Sequence, residues 1–168
     1  MYLTIRVLHV VCGALWFGAA AIGSLYIVPL ASDLGPDAPK VAASLAKRGY
    51  LVAVPVVAVL TLLTGFWLYW RYTAGFNPEI SRTHAAMAFG TGGALAVITF
   101  LMGMLIISRS MMRATALSGD AAKTTDAAER TRILNQAAAL RNRAAAFGRV
   151  AAVFLLATIM LMASALYI

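Results

Sequence analysis

Carboxylates and cysteine are what this sequence is short of. Six aspartates and glutamates stand against fourteen lysines and arginines, and Cys12 is the single cysteine. One cysteine excludes an internal disulfide and any cysteine-rich zinc or iron–sulfur motif; Cys12 itself reads as a small hydrophobe. Asp33, Asp37, Glu79, Asp120, Asp126 and Glu129 all fall in connecting or boundary segments, so neither a buried acid/base dyad nor an intramembrane carboxylate relay is available. No glycine loop follows a strand and no nucleophile elbow occurs. Hydrolysis and phosphoryl transfer are therefore not expected, nor is an independent enzymatic activity.

Charged residues make up only 12% of the chain, while 62% is hydrophobic and the mean hydropathy is +0.84, which does not describe a soluble domain. The 168 residues read as one integral membrane domain, residues 1–168. Segments 3–31, 50–70, 83–108 and 147–168 each have the roughly 20 apolar residues that a helix needs to cross a hydrocarbon core of about 30 Å. The expected fold is all-α, a four-transmembrane-helix bundle, because alternating strands are absent and unpaired backbone in lipid is costly. Ala19-Ala20-Ala21 resembles a cleavage site, yet the positive region before it is one arginine and the apolar run continues past it, so a retained span is expected.

The net charge of +8 does not point to nucleic acid, because the basic residues sort by loop. Lys40, Lys47 and Arg48 in loop one join Arg109, Arg113, Lys123, Arg130, Arg132, Arg141, Arg143 and Arg149 around loop three, against Arg6, Arg71 and Arg82 on the other side. The positive-inside rule puts loops one and three in the cytoplasm and both termini outside. Asp33 to Pro39 and Gly75 to Pro78 carry turn formers, and Ser81 or Thr83 is placed to cap helix three. Asp126 followed by Glu129 resembles a capping box, and Ile133, Ala137, Leu140, Ala144 and Phe147 form one apolar stripe. A continuous helix from about Asp126 to Ile168 is expected, so that helix four extends into the cytoplasm through an amphipathic part, 126–146, at or beyond the interface. Its arginine face is suited to anionic headgroups.

Small residues crowd helices one and three. Ala14 with Gly18, Ala19 with Gly23, and the group Gly90, Gly92, Gly93 admit close approach of another helix or, for the last group, a flat cofactor. The aromatic group Phe66, Trp67, Tyr69, Trp70 and Tyr72 reads as an interfacial belt.

The functional candidate is the stretch Arg6 to Gly18. His9 is an imidazole inside a lipid-spanning helix, where a polar group needs a partner, and Arg6, Cys12, Gly13 and Trp16 share roughly its face. His84 opens helix three, which runs parallel to helix one. Two imidazoles at similar depth are one way to hold haem b, with His9 and His84 as ligands, Gly13 and Trp16 beside it, and Arg6 and Arg82 meeting the propionates. A competing copper site joins His9 and His84 with Met87 and Met160, and with Met162 near it, since imidazole and thioether suit Cu(I). The bland alternative is a histidine satisfied by a neighbouring carbonyl, in a structural small subunit without cofactor.

Arg6-x-x-His9 with Gly13-Ala-Leu-Trp16-Phe-Gly18, then Lys47-Arg48-Gly49-Tyr50 leading to Leu62-Leu63-Thr64-Gly65-Phe-Trp67, resembles the four-helix membrane proteins of the copper resistance D domain and the membrane-type bacterial protoporphyrinogen oxidases. The resemblance covers helices one and two, and helix three through His84-Ala85. It implies a haem b or copper link, with His9 and His84 as the matching ligands. The chain departs from the oxidase pattern where a lysine is expected after the helix-three histidine, the position being Ala86 or Met87, and it has no later Tyr-His pair. The implied role is therefore electron transfer, or accessory service in a larger membrane redox complex or homo-oligomer, in the bacterial inner membrane.

Overall fold

The structure, a computed structural model, describes residues 1–34 and 38–167. Gly35, Pro36 and Asp37 of the expected connector, and Ile168 at the end of the fourth span, lie outside the described residues. Every regular element described is helical, and four helices are long and apolar enough to cross a membrane: Tyr2–Leu30, Tyr50–Tyr72, His84–Lys123 and Ala127–Tyr167.

The first comprises α1 (Tyr2–Ile22), a π-helical turn (Gly23–Ile27) and α2 (Val28–Asp33). The wide turn directly precedes Pro29, whose missing N–H and bulky ring disturb the regular ladder. A short amphipathic helix, α3 (Ala38–Lys47), occupies the first connection, and Gly49 turns the chain in a left-handed conformation (φ 76°) into α4 (Tyr50–Tyr72). Asn77 caps the single turn α5 (Pro78–Ser81) through its side-chain oxygen, 2.9 Å from the Glu79 N–H. Of the two residues placed to cap α6 (His84–Met102), Thr83 does so, accepting from the Ala86 N–H at 3.3 Å.

The four spans close a square. α1 packs on α4, α4 on α6, α6 on α8 (Ala127–Ser164), and α8 back on α1. Trp16, Ala58, Ala96 and Leu155, one from each span, form the central layer. α1 and α6 stand on a diagonal and meet there edge to face through Trp16 and Phe100, ring centroids 6.5 Å apart. Two of the three glycines of α6 serve helix contact: a side chain at Gly90 would meet the Tyr69 hydroxyl at 3.1 Å, and one at Gly92 would meet Met162 at 3.4 Å. Beside it the buried Thr158 hydroxyl donates to the Gly92 carbonyl at 3.2 Å, an interhelical bond of the kind that ties membrane bundles.

The third span runs further than the expected boundary at Ser108. It passes through a second π-helical turn (Gly103–Ser108) into α7 (Arg109–Lys123), so the polar stretch around Ser118 is helix, not loop. Tertiary packing outweighs the turn signal of Ser118-Gly119-Asp120: α7 packs along α8, and Ser110, Ala114 and Ala121 of the one and Ala137, Ala144 and Ala145 of the other are buried. The Arg141 guanidinium donates to the Ser118 hydroxyl at 3.0 Å across the pair. α7 and the first half of α8 thus form a helical hairpin continuous with spans three and four. A helix of 40 residues measures about 60 Å, twice the hydrocarbon thickness, so the hairpin stands out beyond the lipid-spanning part. Asp126 caps α8 at Ala128 N, 2.9 Å away, but Glu129 does not complete the expected box; its carboxylate pairs with Arg132 at 2.6 Å.

Candidate functional site

His9 sits on the face of α1 that packs against α4. Its Nδ1 lies 2.9 Å from the Thr61 carbonyl oxygen and 3.2 Å from the Thr64 hydroxyl oxygen. A carbonyl only accepts, so the proton belongs on Nδ1, and in the neutral ring the lone pair is on Nε2. The Thr64 hydroxyl donates to the Leu60 carbonyl at 2.6 Å and is an acceptor toward His9. The ring has room because residue 65 is glycine: a Cβ there would lie 2.7 Å from His9 Cε1, closer than real carbon contacts come. The site is therefore a half-buried imidazole, tautomer and orientation set by α4, whose second nitrogen forms no hydrogen bond among the described residues.

Trp16 and Cys12 are buried on the same side of α1, at 6% and 5% exposure, and Gly13 packs on the Thr61 methyl group. Cys12 and Gly13 line the interior between His9 and the central layer, to which Trp16 belongs. Arg6 is exposed, one turn nearer the terminus.

The other expected ligands are placed differently. His84 is the exposed first residue of α6, on the diagonal from α1. Measured from the central layer, His9 is about 10 Å along its helix from Trp16, and His84 is about 18 Å along its helix from Ala96. By that reckoning the two histidines differ by about 8 Å in depth, on diagonal spans. Arg82 is exposed in the same connection as His84. Met87 and Met160, at 49% and 64% exposure, face outward. Met162 is half-buried against Gly92 and stands two turns from Leu155, so it is the methionine level with His9.

Among the described residues no three of His, Cys, Asp and Glu converge on a common point. A two-ligand iron and a histidine–thioether copper do not need such a group. Two surface recesses, one lined by Trp70, Arg71, Ala74 and Gly75 and the other by Arg109, Met112 and Arg113, include neither histidine.

The residues that sequence reasoning missed are Thr61, Thr64 and Gly65. Their signal was a Thr-x-x-Thr-Gly sequence on a lipid-spanning helix, a hydroxyl and a gap one turn apart. Comparison with protein families, with curated proteins and with solved structures gives no match, and the seat of His9 stands on its geometry alone.

Proposed function

We propose that this chain is a membrane haem b-binding, cytochrome-like protein that holds the haem iron through His9 and carries electrons or serves as an accessory subunit of a membrane redox complex. The observation that carries the reading is the His9 seat. Metal-ligating histidines almost always donate their other N–H to a carbonyl, carboxylate or water, which fixes the tautomer and makes the free nitrogen a better ligand; the Thr61 carbonyl does this for Nδ1. The resemblance of the Arg6 to Gly18 stretch to helix one of the copper resistance D and membrane-type oxidase proteins points to the same residue. The haem supplies one-electron chemistry when bound. The chain's own part is to hold Nε2 unprotonated, to keep the ring against Gly65, and to shield the interior side with Trp16 and Cys12.

The second ligand in this reading is a methionine of the fourth span, whose end returns to about the depth of His9, in preference to the exposed His84. The distribution of lysine and arginine supports termini outside, the hairpin in the cytoplasm and a place in a bacterial inner membrane. The test is a reduced-minus-oxidised absorption spectrum of the purified protein. Soret and alpha bands are expected in wild type and in His84→Ala, and their loss in His9→Ala. Wild type without a Soret band, or His9→Ala with its full haem content, overturns the proposal.

A second reading, favoured by the unbonded second nitrogen of His9 and by thioethers at about its depth, is a copper-handling protein binding Cu(I) through His9 and a methionine. Elemental analysis separates the two. Copper near one per chain with no Soret band selects the copper reading; iron and a Soret band reject it.

A further inference from the structure

We propose that the base of the helical hairpin, where α7 leaves the apolar part of the third span, binds the phosphate of an anionic phospholipid through Arg109 and Arg113. The apolar run of the span ends at Ile107, and Arg109 and Arg113 follow one turn apart on one face of α7, lining a recess of about 270 Å³ with Met112 between them. Neither guanidinium makes a hydrogen bond or an ion pair with any described residue. Three other arginines of the hairpin are engaged, Arg141 with Ser118, Arg132 with Glu129, and Arg143 over the Phe147 ring at 5.9 Å, while Arg130 stands at the tip among its carboxylates, free of such a partner among the described residues. Two unengaged planar cations a turn apart suit the bidentate recognition of phosphate.

Charge along the hairpin is divided. Its three carboxylates, Asp120, Asp126 and Glu129, all lie at the tip beside Lys123, Arg130 and Arg132. The base holds Arg109, Arg113, Arg141, Arg143 and Arg149 with no carboxylate among them. A partner protein docking along the hairpin would find mixed charge at the tip; the purely cationic zone is confined to headgroup depth. Met112, 72% exposed between the two arginines, is placed to enter the acyl region while they reach the phosphate. The occupant is therefore a lipid of the leaflet at the hairpin end.

The test uses the whole protein in nanodiscs containing equal amounts of phosphatidylglycerol and phosphatidylcholine, with the lipids that stay bound on release counted by native mass spectrometry. Wild type is expected to retain phosphatidylglycerol in excess. An arginine near an anionic surface is worth roughly fivefold, so the double variant Arg109→Gln/Arg113→Gln is expected to lower the excess more than tenfold. The tip variant Arg130→Gln/Arg132→Gln is expected to keep it. Arg109→Lys/Arg113→Lys retains both charges, guards against a folding failure of the glutamine pair, and is expected to keep a reduced excess. Equal retention of the two lipids by wild type overturns the proposal. A tip variant that loses the excess as fully as the base variant does so too.

Discussion

Adding one methyl group at Gly65 is the most direct probe of the His9 seat. Its Cβ would lie 2.7 Å from His9 Cε1, so the ring must swing away and give up the Thr61 carbonyl. Gly65→Ala is expected to cost about 1–3 kcal/mol as an overpacked contact, read as a lower unfolding temperature in detergent, and to lower the Soret absorbance with it. Gly93→Ala is the matched control: nothing stands within 4 Å of its Cβ, and a change of less than about 0.5 kcal/mol is expected. A milder loss is expected for Thr158→Val, which removes the interhelical bond to the Gly92 carbonyl at a cost of about 0.6 kcal/mol, the average for such bonds in a membrane bundle. At this scale the sequence made His9 legible, because an imidazole in a lipid-spanning segment stands out against its neighbours. Its partners were not legible. Thr61 contributes through its backbone carbonyl, which every residue has, and the register between α1 and α4 that brings position 9 to position 65 depends on how small residues of both helices nest. The pairing of His9 with His84 rested on parallel helices and similar depth. In the closed square those helices are diagonal, and His84 begins its helix instead of sitting within it.

Elements, unlike contacts, were readable where their cause is local. Four apolar runs gave four spans, and Asn77, Thr83 and Asp126 cap the helices that follow them. Reading failed where distant packing decided the outcome, as in α7, whose Ser118-Gly119-Asp120 looks like a turn until Ala114 and Ala121 are seen buried against α8. That alanine seam has no spare room: Ala137 is fully enclosed. Ala137→Leu is expected to pry the hairpin apart while leaving the bundle intact, so amide exchange should quicken over residues 109–146 and stay slow in the lipid-spanning parts. The connection after α4 carries the opposite kind of tension. Ala74 and Phe76 have φ of 49° and 66° on either side of Gly75 at 80°, a run of three left-handed residues. Phe76 is held there by its ring contacts with Phe66 and Tyr69, at 5.8 and 6.1 Å, and by its N–H bonded to the Thr73 hydroxyl at 3.1 Å. Ala74 has no such ring contact. Relief of the left-handed penalty, about 1–2 kcal/mol, outweighs the extra chain entropy that glycine loses on folding, roughly 0.5–1 kcal/mol. Ala74→Gly is therefore expected to raise the unfolding temperature, and a fall would show that the positive φ is not strained in the folded protein.

At the scale of the whole molecule the two ends of the bundle differ in both shape and charge. One end carries the first residue, the short connection through α5, the end of α8, and Arg6, Arg71 and Arg82; the other carries α3, the hairpin and the remaining eleven basic residues. The positive-inside rule counts lysine and arginine near the span ends in short loops, and the orientation proposed from that count, with the hairpin end in the cytoplasm, can be tested directly. Cys12 makes the orientation measurable without a cysteine-free background, because at 5% exposure within the bundle it is shielded from a charged maleimide that does not cross membranes. Wild type is then the blank. Glu79→Cys places a thiol on the exposed connection before α6, and Ala128→Cys places one on the exposed tip of the hairpin, where the residue's backbone N–H keeps its bond to the Asp126 carboxylate. On intact cells Glu79→Cys is expected to react and Ala128→Cys to stay unlabelled until the membrane is opened. Labelling in the reverse pattern would put the arginine-rich base of the hairpin on the outer leaflet and turn the His9 end of the bundle toward the cytoplasm, so that any partner of the proposed cofactor site would have to be sought on that side.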